Sequence, residues 1–281
     1  MSEQQNGNSF AEEYRRLKET LRSMKRVLIA FSGGVDSSLL LFVARQVLPR
    51  DDILAVTAVS EVMPRHEKED ALTLAKEFDV EHLLIEGPEM EDLRFRRNPH
   101  DKCYLCKKKR YESLIRLAGE HRLLHVLDGE NADDHKDYRP GSRAACELGV
   151  RSPLSEAGFT KPQIRGLSKN LGLPTWDKPS CACLASRIPY HNRITVQKLK
   201  QIDQGEAFIR SLNISQQVRL RHHGEIARLE LSAQDLPNLV FDEEMRNRVV
   251  GFLKSIGFLY VALDLEGYSV GSLNREIVDH L

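Results

Sequence analysis

The stretch RVLIAFSGGVDSSLLLFVARQVLP, residues 26–49, constrains this chain more than any other. Val27–Phe31 is apolar throughout, Ser32–Asp36 has turn composition, and Ser37–Val47 carries helical spacing. A short strand that is apolar at every position must be covered on both faces, which places it inside a parallel sheet. The alternation continues downstream. ILAVTAVS (Ile53–Ser60) reads as a second strand, His66–Phe78 as a helix, His82–Gly87 as a third strand and CKKKRYESLIRLAGEH as a helix. LLHVLDGENADD then gives a fourth strand ending at Asp128-Gly129, and Ala11–Met24 precedes the series as a helix. Strands alternating with helices define an α/β class with a doubly wound parallel sheet, whose ligands collect at the carboxyl ends of the strands.

The texture changes after RIPY (187–190). ITVQKLKQIDQGEAFIRSL reads as a long amphipathic helix, QQVRLRHHGEIARLEL as paired strands, Asp242–Ile256 as a helix and Leu259–Asp264 as a strand. Two domains are expected: 1–190, carrying the glycine-rich loop and the cysteines, and 191–281, a smaller α+β unit for substrate binding or oligomerisation. The 281 residues suffice for both. Lys+Arg and Asp+Glu balance at 41 each, so no global field favours nucleic acid or an anionic membrane. The polar start MSEQQNGNSF lacks the apolar stretch of a signal peptide, and no run approaches the ~18 apolar residues of a membrane span. A cytoplasmic location is expected. In a reducing compartment the five cysteines, Cys103, Cys106, Cys146, Cys181 and Cys183, point to metal or catalysis rather than disulfides.

Between a buried strand and a helix, SGGVDSS (Ser32–Ser38) aims backbone N–H groups and a helix N-terminus at one point, which makes an anion site. Gly33 and Gly34 allow close approach to phosphate oxygens, Ser32, Ser37 and Ser38 add hydroxyls, and Asp36 can hold Mg2+. Ala30 and Thr57, near the ends of the first two strands, and Asp128 and Gly129, at the end of the fourth, are candidates for the same nucleotide site. Neither a Walker loop nor a dinucleotide fingerprint has this spacing. The plainest alternative is a tight turn with serine caps. SGGVDSS closely resembles the PP-loop of ATP pyrophosphatases, a group with Rossmann-like sheets that includes GMP synthetases, NAD synthetases and tRNA thiolation enzymes. That resemblance implies cleavage of ATP between the α- and β-phosphates and transfer of AMP to a substrate oxygen.

VLDGENADDHKDYRPGSRAACELGVRSPLSE carries Asp128, Glu130, Asn131, Asp133, Asp134, Asp137 and Arg139. Such a segment is ordinarily a solvated loop, but at the same sheet edge as the PP-loop it reads as a magnesium and substrate site. The order SGGVDSS, CYLCKKK, LDGENADDHKDYRPG and RSPLSEAGFTKPQIRGLSKNLGLPTWDKPSCACLASRIPY resembles the LarE family over nearly the whole chain. These are ATP-dependent sulfur-insertion enzymes of nickel-pincer nucleotide synthesis. The resemblance implies a substrate, pyridinium-3,5-biscarboxylic acid mononucleotide, whose carboxylates are adenylated and converted to thiocarboxylates. A tRNA-thiolation or amidotransferase-like PP-loop enzyme, or a non-catalytic adenine-nucleotide-binding protein, is the alternative. Nucleic acid is not expected as a partner; a homo-oligomer, and a sulfide source or sulfur carrier, are.

Some family members give up the sulfur of one cysteine; others are expected to hold a [4Fe–4S] cluster on three. With the CxxC present, the resemblance assigns Cys103, Cys106 and Cys183 to such a cluster, with an open iron for sulfur. Cys181 is an alternative ligand or sulfur donor. From the residues alone, four thiolates at 103, 106, 181 and 183 also make a zinc site, and a sacrificial cysteine needs no metal. A redox pair is a weaker reading, because the CxxC is expected in a loop before the helix. Lys107–Arg110 offer charge to offset thiolates or bind phosphate, and Cys146, beside Ala144 and Ala145, is expected to be buried. Arg219 and Arg221 fall on one strand face, a solvated face by pattern but substrate-phosphate ligands by resemblance. Ser186, Arg187, Glu206 and Glu230 are further family-matched catalytic candidates. In GYSVGSLN (Gly267–Asn274), the family pattern has an arginine where this chain carries Ser269.

Overall fold

The computed structural model describes residues 10–134, 140–215 and 217–269, which form two compact units. The first comprises residues 10–60, Arg65–Glu89 and Asp101–Cys181; the second comprises Glu61–Pro64, Met90–His100 and residues 182–269. The last of these divisions falls between Cys181 and Ala182, ahead of the boundary expected near residue 191, and the long helix after it begins at Val196. Asp137, Arg139 and residues 270–274 lie outside the described residues. No helix among the described residues is long and apolar enough to cross a membrane.

In the first unit, β1 (Val27–Ala30), β2 (Ile53–Val59), β3 (Glu81–Glu86) and β4 (His125–Leu127) form a parallel sheet in the order β3-β2-β1-β4. The central strand β1 is buried because its two faces pack into two cores. Val27 and Ile29 join Leu17, Leu21, Leu39 and Leu40, from helices α1 (Ala11–Met24) and α2 (Val35–Val47). Leu28 joins Leu54, Val56, Tyr111 and Leu114, the last two from the long helix α4 (Lys102–Glu120). Helix α3 (Arg65–Glu77) follows β2; α5 (Pro140–Leu148) and α6 (Lys161–Asn170) follow β4. Two expectations are corrected. Cys103 and Cys106 lie inside the first turns of α4 rather than in a loop ahead of it. Cys146 is exposed on α5, where Ala144 and Ala145 take the buried positions instead.

The second unit packs α7 (Val196–Ser211) and α8 (Glu243–Ser255) with a three-stranded sheet in the order β5-β6-β7. β5 (Val218–His223) and β6 (Ile226–Leu231) are antiparallel, as the alternating pattern suggests; β7 (Tyr260–Leu263) runs parallel to β6. This core contains charge. Arg187 and Glu206 are both fully buried, joined by Nε–Oε1 and Nη2–Oε2 hydrogen bonds of 2.9 and 3.1 Å, and Leu220 N–H donates to Glu206 at 3.1 Å. Burial alone pushes the Glu206 carboxyl up, but Arg187, Arg219 and the Leu220 amide outweigh it and hold it below the usual range. Removing one member of such a pair strands a buried charge. Arg187→Leu is therefore expected to destabilise the protein by about 3–5 kcal/mol in urea unfolding, with Arg187→Leu/Glu206→Leu recovering most of the loss.

His222 is buried between Gln201, whose Oε1 lies 3.1 Å from Nε2, and the Phe258 ring. Burial, then the Lys198 charge, pushes its imidazole down to about 4 from 6.5. Between those values the unfolded chain binds the proton and the folded chain does not, so stability falls as pH drops from about 6.5 towards 4. The loss is at most about 3 kcal/mol. Urea midpoints across this window are expected to fall in the parent chain and to flatten in His222→Leu.

Candidate functional site

The loop between β1 and α2 folds tightly around its own hydroxyls. Ser32 Oγ lies 3.0 Å from Ser37 Oγ, Gly34 N–H donates to Ser32 Oγ at 3.3 Å, and Ser37 Oγ donates to the Gly34 carbonyl at 3.2 Å. Gly33 has φ +71°, and a Cβ there would sit 3.2 Å from the Ala71 backbone of α3. At the other side, a Cβ on Gly129 would lie 3.0 Å from Ser37 N and 3.2 Å from its Cα. The end of β4 is thus held against the first turn of α2 by the absence of a side chain. The Ser38 hydroxyl is buried in this turn without a hydrogen-bond partner among the described residues, which leaves a donor for a bound anion.

Around this loop the ionisable groups are matched. Asp36 Oδ2 receives Lys161 Nζ at 2.5 Å, and its Oδ1 receives Asn131 Nδ2 at 3.4 Å. Lys161 opens α6, which is set by a capping box between Thr160 and Gln163; its backbone N–H donates to Asp133 at 2.8 Å. Asp134 accepts from Asn131 N–H. Asp128 accepts from Tyr111 Oη at 2.5 Å, Ser152 Oγ at 2.7 Å and Glu130 N–H at 3.2 Å. Burial, then the Asp128 charge, pushes the Tyr111 phenol far up, so it stays a donor. Glu130 takes Lys107 Nζ at 2.5 Å and Ser142 Oγ at 3.0 Å. Lys178 Nζ binds the Gly33 carbonyl (3.1 Å), Glu67 (2.9 Å) and Asp70 (2.7 Å). Burial opposes its charge, but Asp70 and Glu67 raise its pKa above the ordinary value. Thr57 is buried and donates to the Phe31 carbonyl at 2.6 Å, which leaves its oxygen to accept from His82 Nε2 at 2.8 Å. Ala30 is the last residue of β1.

Sequence reasoning missed Lys161, Lys178 and Tyr111. The signal for Lys161 was present: Thr-Lys-Pro-Gln is a helix start, and it puts that lysine on the first turn facing the sheet edge. No pattern announces Lys178, whose partners are 108 and more residues away in sequence.

None of the five cysteines is in a disulfide. Cys103 and Cys106 stand three apart on α4, hence on one helical face, a donor pair that suits a thiolate-ligated metal or cluster. Cys106 Sγ donates to Glu89 Oε1 at 3.4 Å, and the buried Glu89 is also paired with Arg110. Burial pushes that carboxyl up, and the Arg110 guanidinium more than compensates. Of the cations after the CxxC, Lys107, Lys108 and Arg110 are committed to Glu130, Glu147 and Glu89.

In the second unit, Cys183 caps the short turn Leu184–Arg187. Its carbonyl accepts from Ser186 Oγ (2.8 Å) and Arg187 Nη1 (3.0 Å). Arg187 Nη1 also binds the Ala182 carbonyl at 2.5 Å and Ser186 Oγ at 3.0 Å. The Arg187–Glu206 pair therefore shapes the backbone that presents Cys183. Arg221 is buried, forked onto Glu230 at 2.9 and 2.6 Å, with Nη1 on the Ser186 carbonyl at 3.0 Å. Arg219 is buried with its guanidinium over the Tyr268 ring. Both arginines come from β5, as expected, and both reach the residues around the 183–187 turn or its partner Glu206.

Residues 11–117 match the model of the NAD synthase family. The chain is 43% identical to an uncharacterised protein of Synechocystis over 92% of this chain and 96% of that one. It is 38% identical to pyridinium-3,5-bisthiocarboxylic acid mononucleotide synthase of Lactiplantibacillus plantarum, over 92% of both chains. The chain belongs to the LarE family. A more distant likeness, 26% over 61% of this chain and 60% of the other, is to a glutamine-hydrolysing GMP synthase component of Thermoplasma volcanium, consistent with a shared PP-loop unit. The LarE relationship extends past the loop through the 183–187 turn and β5, so both units belong to the family pattern.

The close approach at Gly129 generates a test. Gly129→Ala is expected to destabilise the protein by about 1–3 kcal/mol and to weaken nucleotide binding, because the added methyl must push the first turn of α2 away. Calorimetric titration with a non-hydrolysable ATP analogue checks it, and unchanged affinity would separate the β4 end from the nucleotide site.

Proposed function

We propose that this chain is an ATP-dependent sulfur-inserting enzyme that converts the carboxylates of pyridinium-3,5-biscarboxylic acid mononucleotide to thiocarboxylates. The observation that carries this is the 38% identity to the L. plantarum synthase across 92% of both chains. The loop geometry around Ser32–Ser38 and the unpartnered Ser38 hydroxyl support nucleotide binding there.

Backbone N–H groups at the start of α2, with Ser32, Ser37 and Ser38, bind the phosphates of ATP, and the strand ends at Ala30, Thr57, Asp128 and Gly129 line the nucleotide. Asp36 is the residue that would hold Mg2+ beside the phosphates, where the ion would supply charge neutralisation, and Lys161, which pairs with Asp36, is placed to neutralise the departing pyrophosphate. A substrate carboxylate oxygen attacks the α-phosphorus, the bond to the β-phosphate oxygen breaks, and pyrophosphate leaves with the electron pair. A sulfur nucleophile then attacks the acyl carbon, the C–O bond breaks, and AMP departs with the former carboxylate oxygen. Positioning and charge neutralisation supply most of the rate. Arg219 and Arg221 bind the substrate phosphate, which requires Arg221 to share its fork with Glu230. Arg187 acts on Cys183 through the backbone it holds, as a positioning residue.

Cys103, Cys106 and Cys183 are the residues that would hold a [4Fe–4S] cluster; bound there, it would supply an exchangeable sulfur so that the enzyme is not consumed. The reading draws on the CxxC face of α4 and the cations paired around it. The sulfur comes from a sulfide source or carrier, and the exposed Phe241, Tyr260 and Leu265 of the second unit favour a homo-oligomer.

Asp36→Ala is expected to abolish substrate-dependent pyrophosphate release, and normal release would remove Asp36 from the mechanism. Anaerobically purified protein is expected to contain about four iron and four sulfide per chain, with loss of both in Cys103→Ser/Cys106→Ser. Colourless protein whose zinc is lost in Cys103→Ser/Cys106→Ser would instead support the four-thiolate site.

A further inference from the structure

Two cysteines, Cys146 and Cys181, have no task in that scheme. Cys181 is exposed, ends the irregular segment 177–181 of the first unit, and lies beside the first turn of α3. There an imidazole nitrogen of His66, a carboxylate oxygen of Glu67 and Cys181 Sγ all fall within 4.8 Å of one another. We propose that His66, Glu67 and Cys181 form a mononuclear site for a borderline-soft divalent transition ion of the zinc or cobalt kind, with one position left open. It uses neither Cys103, Cys106 nor Cys183 and does not rest on the cluster reading.

Three observations carry it. First, consecutive residues on a helix normally diverge, yet His66 Nε2 comes to 3.5 Å from Glu67 Oε1. The imidazole has turned towards the carboxylate rather than into solvent. Donors of a tetrahedral ion stand roughly 3.3–3.8 Å apart, given bonds of about 2.0–2.3 Å. Rotation of the exposed Cys181 and half-exposed His66 side chains closes the remaining distance. Second, the pieces are anchored independently. Glu67 is buried and fixed through its other oxygen by Lys178 Nζ at 2.9 Å, and Lys178 lies only three residues before Cys181. Lys178 also binds Asp70 and the Gly33 carbonyl, so the donors stand on a preset frame beside the glycine loop.

Third, the charges close. Lys178 and Asp70 cancel. Glu67 and a Cys181 thiolate then bring two negative charges that a divalent ion neutralises, with His66 as the neutral third donor. On binding, the thiol proton leaves to solvent and the Sγ–metal bond forms without any change of oxidation state. One N, one O and one S donor with an open position is a set that zinc-like ions accept and magnesium does not. Such an ion would tie the irregular segment at Cys181 to α3 beside the anion-binding turn.

The test uses the full chain carrying Cys103→Ser, Cys106→Ser and Cys183→Ser, titrated anaerobically with cobalt(II) chloride. One cobalt per chain is expected, with a near-ultraviolet thiolate-to-cobalt band and the visible bands of a four-coordinate ion. Adding Cys181→Ala is expected to abolish the near-ultraviolet band and weaken binding about 100-fold or more, and His66→Gln to weaken it at least about 10-fold. Cys146→Ser is expected to change neither. A missing band, or a band that survives Cys181→Ala, would overturn the proposal, as would affinity indifferent to His66→Gln. Should the triple-serine chain not fold, equilibrium dialysis on the wild-type background decides instead. Cys181→Ala and His66→Gln are each expected to bind one cobalt fewer than wild type, and equal stoichiometry would overturn the site.

Discussion

The first unit depends on a backbone approach that leaves little room for anything larger than hydrogen. Gly129, just beyond β4, sits against the backbone of Ser37 in the first turn of α2, and a methyl there would lie 3.0 Å from the Ser37 nitrogen. That approach brings the acidic segment 128–134 to the turn that presents backbone N–H groups. Everything else at this edge follows from it. Asp36 reaches Asn131 and Lys161, and Asp128 is fixed by Tyr111 and Ser152. Gly33, at positive φ beside Ala71, sets the other wall. A nucleotide phosphate at this point meets donors that are already oriented, so little ordering is left for binding to supply.

Buried charge is the second organising device. Arg187–Glu206, Arg221–Glu230 and Arg110–Glu89 each place a carboxylate at or below 1% exposure against a guanidinium. Buried ion pairs of this kind often add little net stability over well-packed apolar residues. The geometry is visible in what the arginines hold: Arg187 grips the carbonyls of Ala182 and Cys183, and Arg221 grips that of Ser186. The turn that carries Cys183 is therefore fixed from two sides by side chains that do not themselves face solvent.

Much of this was legible beforehand. The apolar run Val27–Phe31 and the glycine-serine loop announce a buried parallel strand feeding a helix, and the strands appear within a residue or two of their expected bounds. The antiparallel pair β5-β6 follows from the alternation in VRLRHH and IARLEL. Two placements were not legible, and for definite reasons. The CxxC was expected in a loop ahead of its helix, yet Leu105, Tyr111 and Leu114 extend the apolar stripe and draw Lys102–Cys106 into α4. Cys146 was expected inside beside two alanines, but the buried stripe of α5 takes Ala144 and Ala145 and turns the next residue outward. The long-range partners of Lys178 and Arg187 leave no local trace at all.

The central claim is that a substrate carboxylate, not water, attacks the α-phosphorus of ATP at the Ser32–Ser38 turn, and that sulfur then replaces that oxygen. One isotope experiment addresses both halves. Pyridinium-3,5-biscarboxylic acid mononucleotide labelled with 18O in its carboxylates is turned over once with ATP, and the AMP is examined by mass spectrometry. The account predicts one 18O in the AMP for each thiocarboxylate formed, with none in pyrophosphate. Unlabelled AMP, or ADP and phosphate in place of AMP and pyrophosphate, would contradict it.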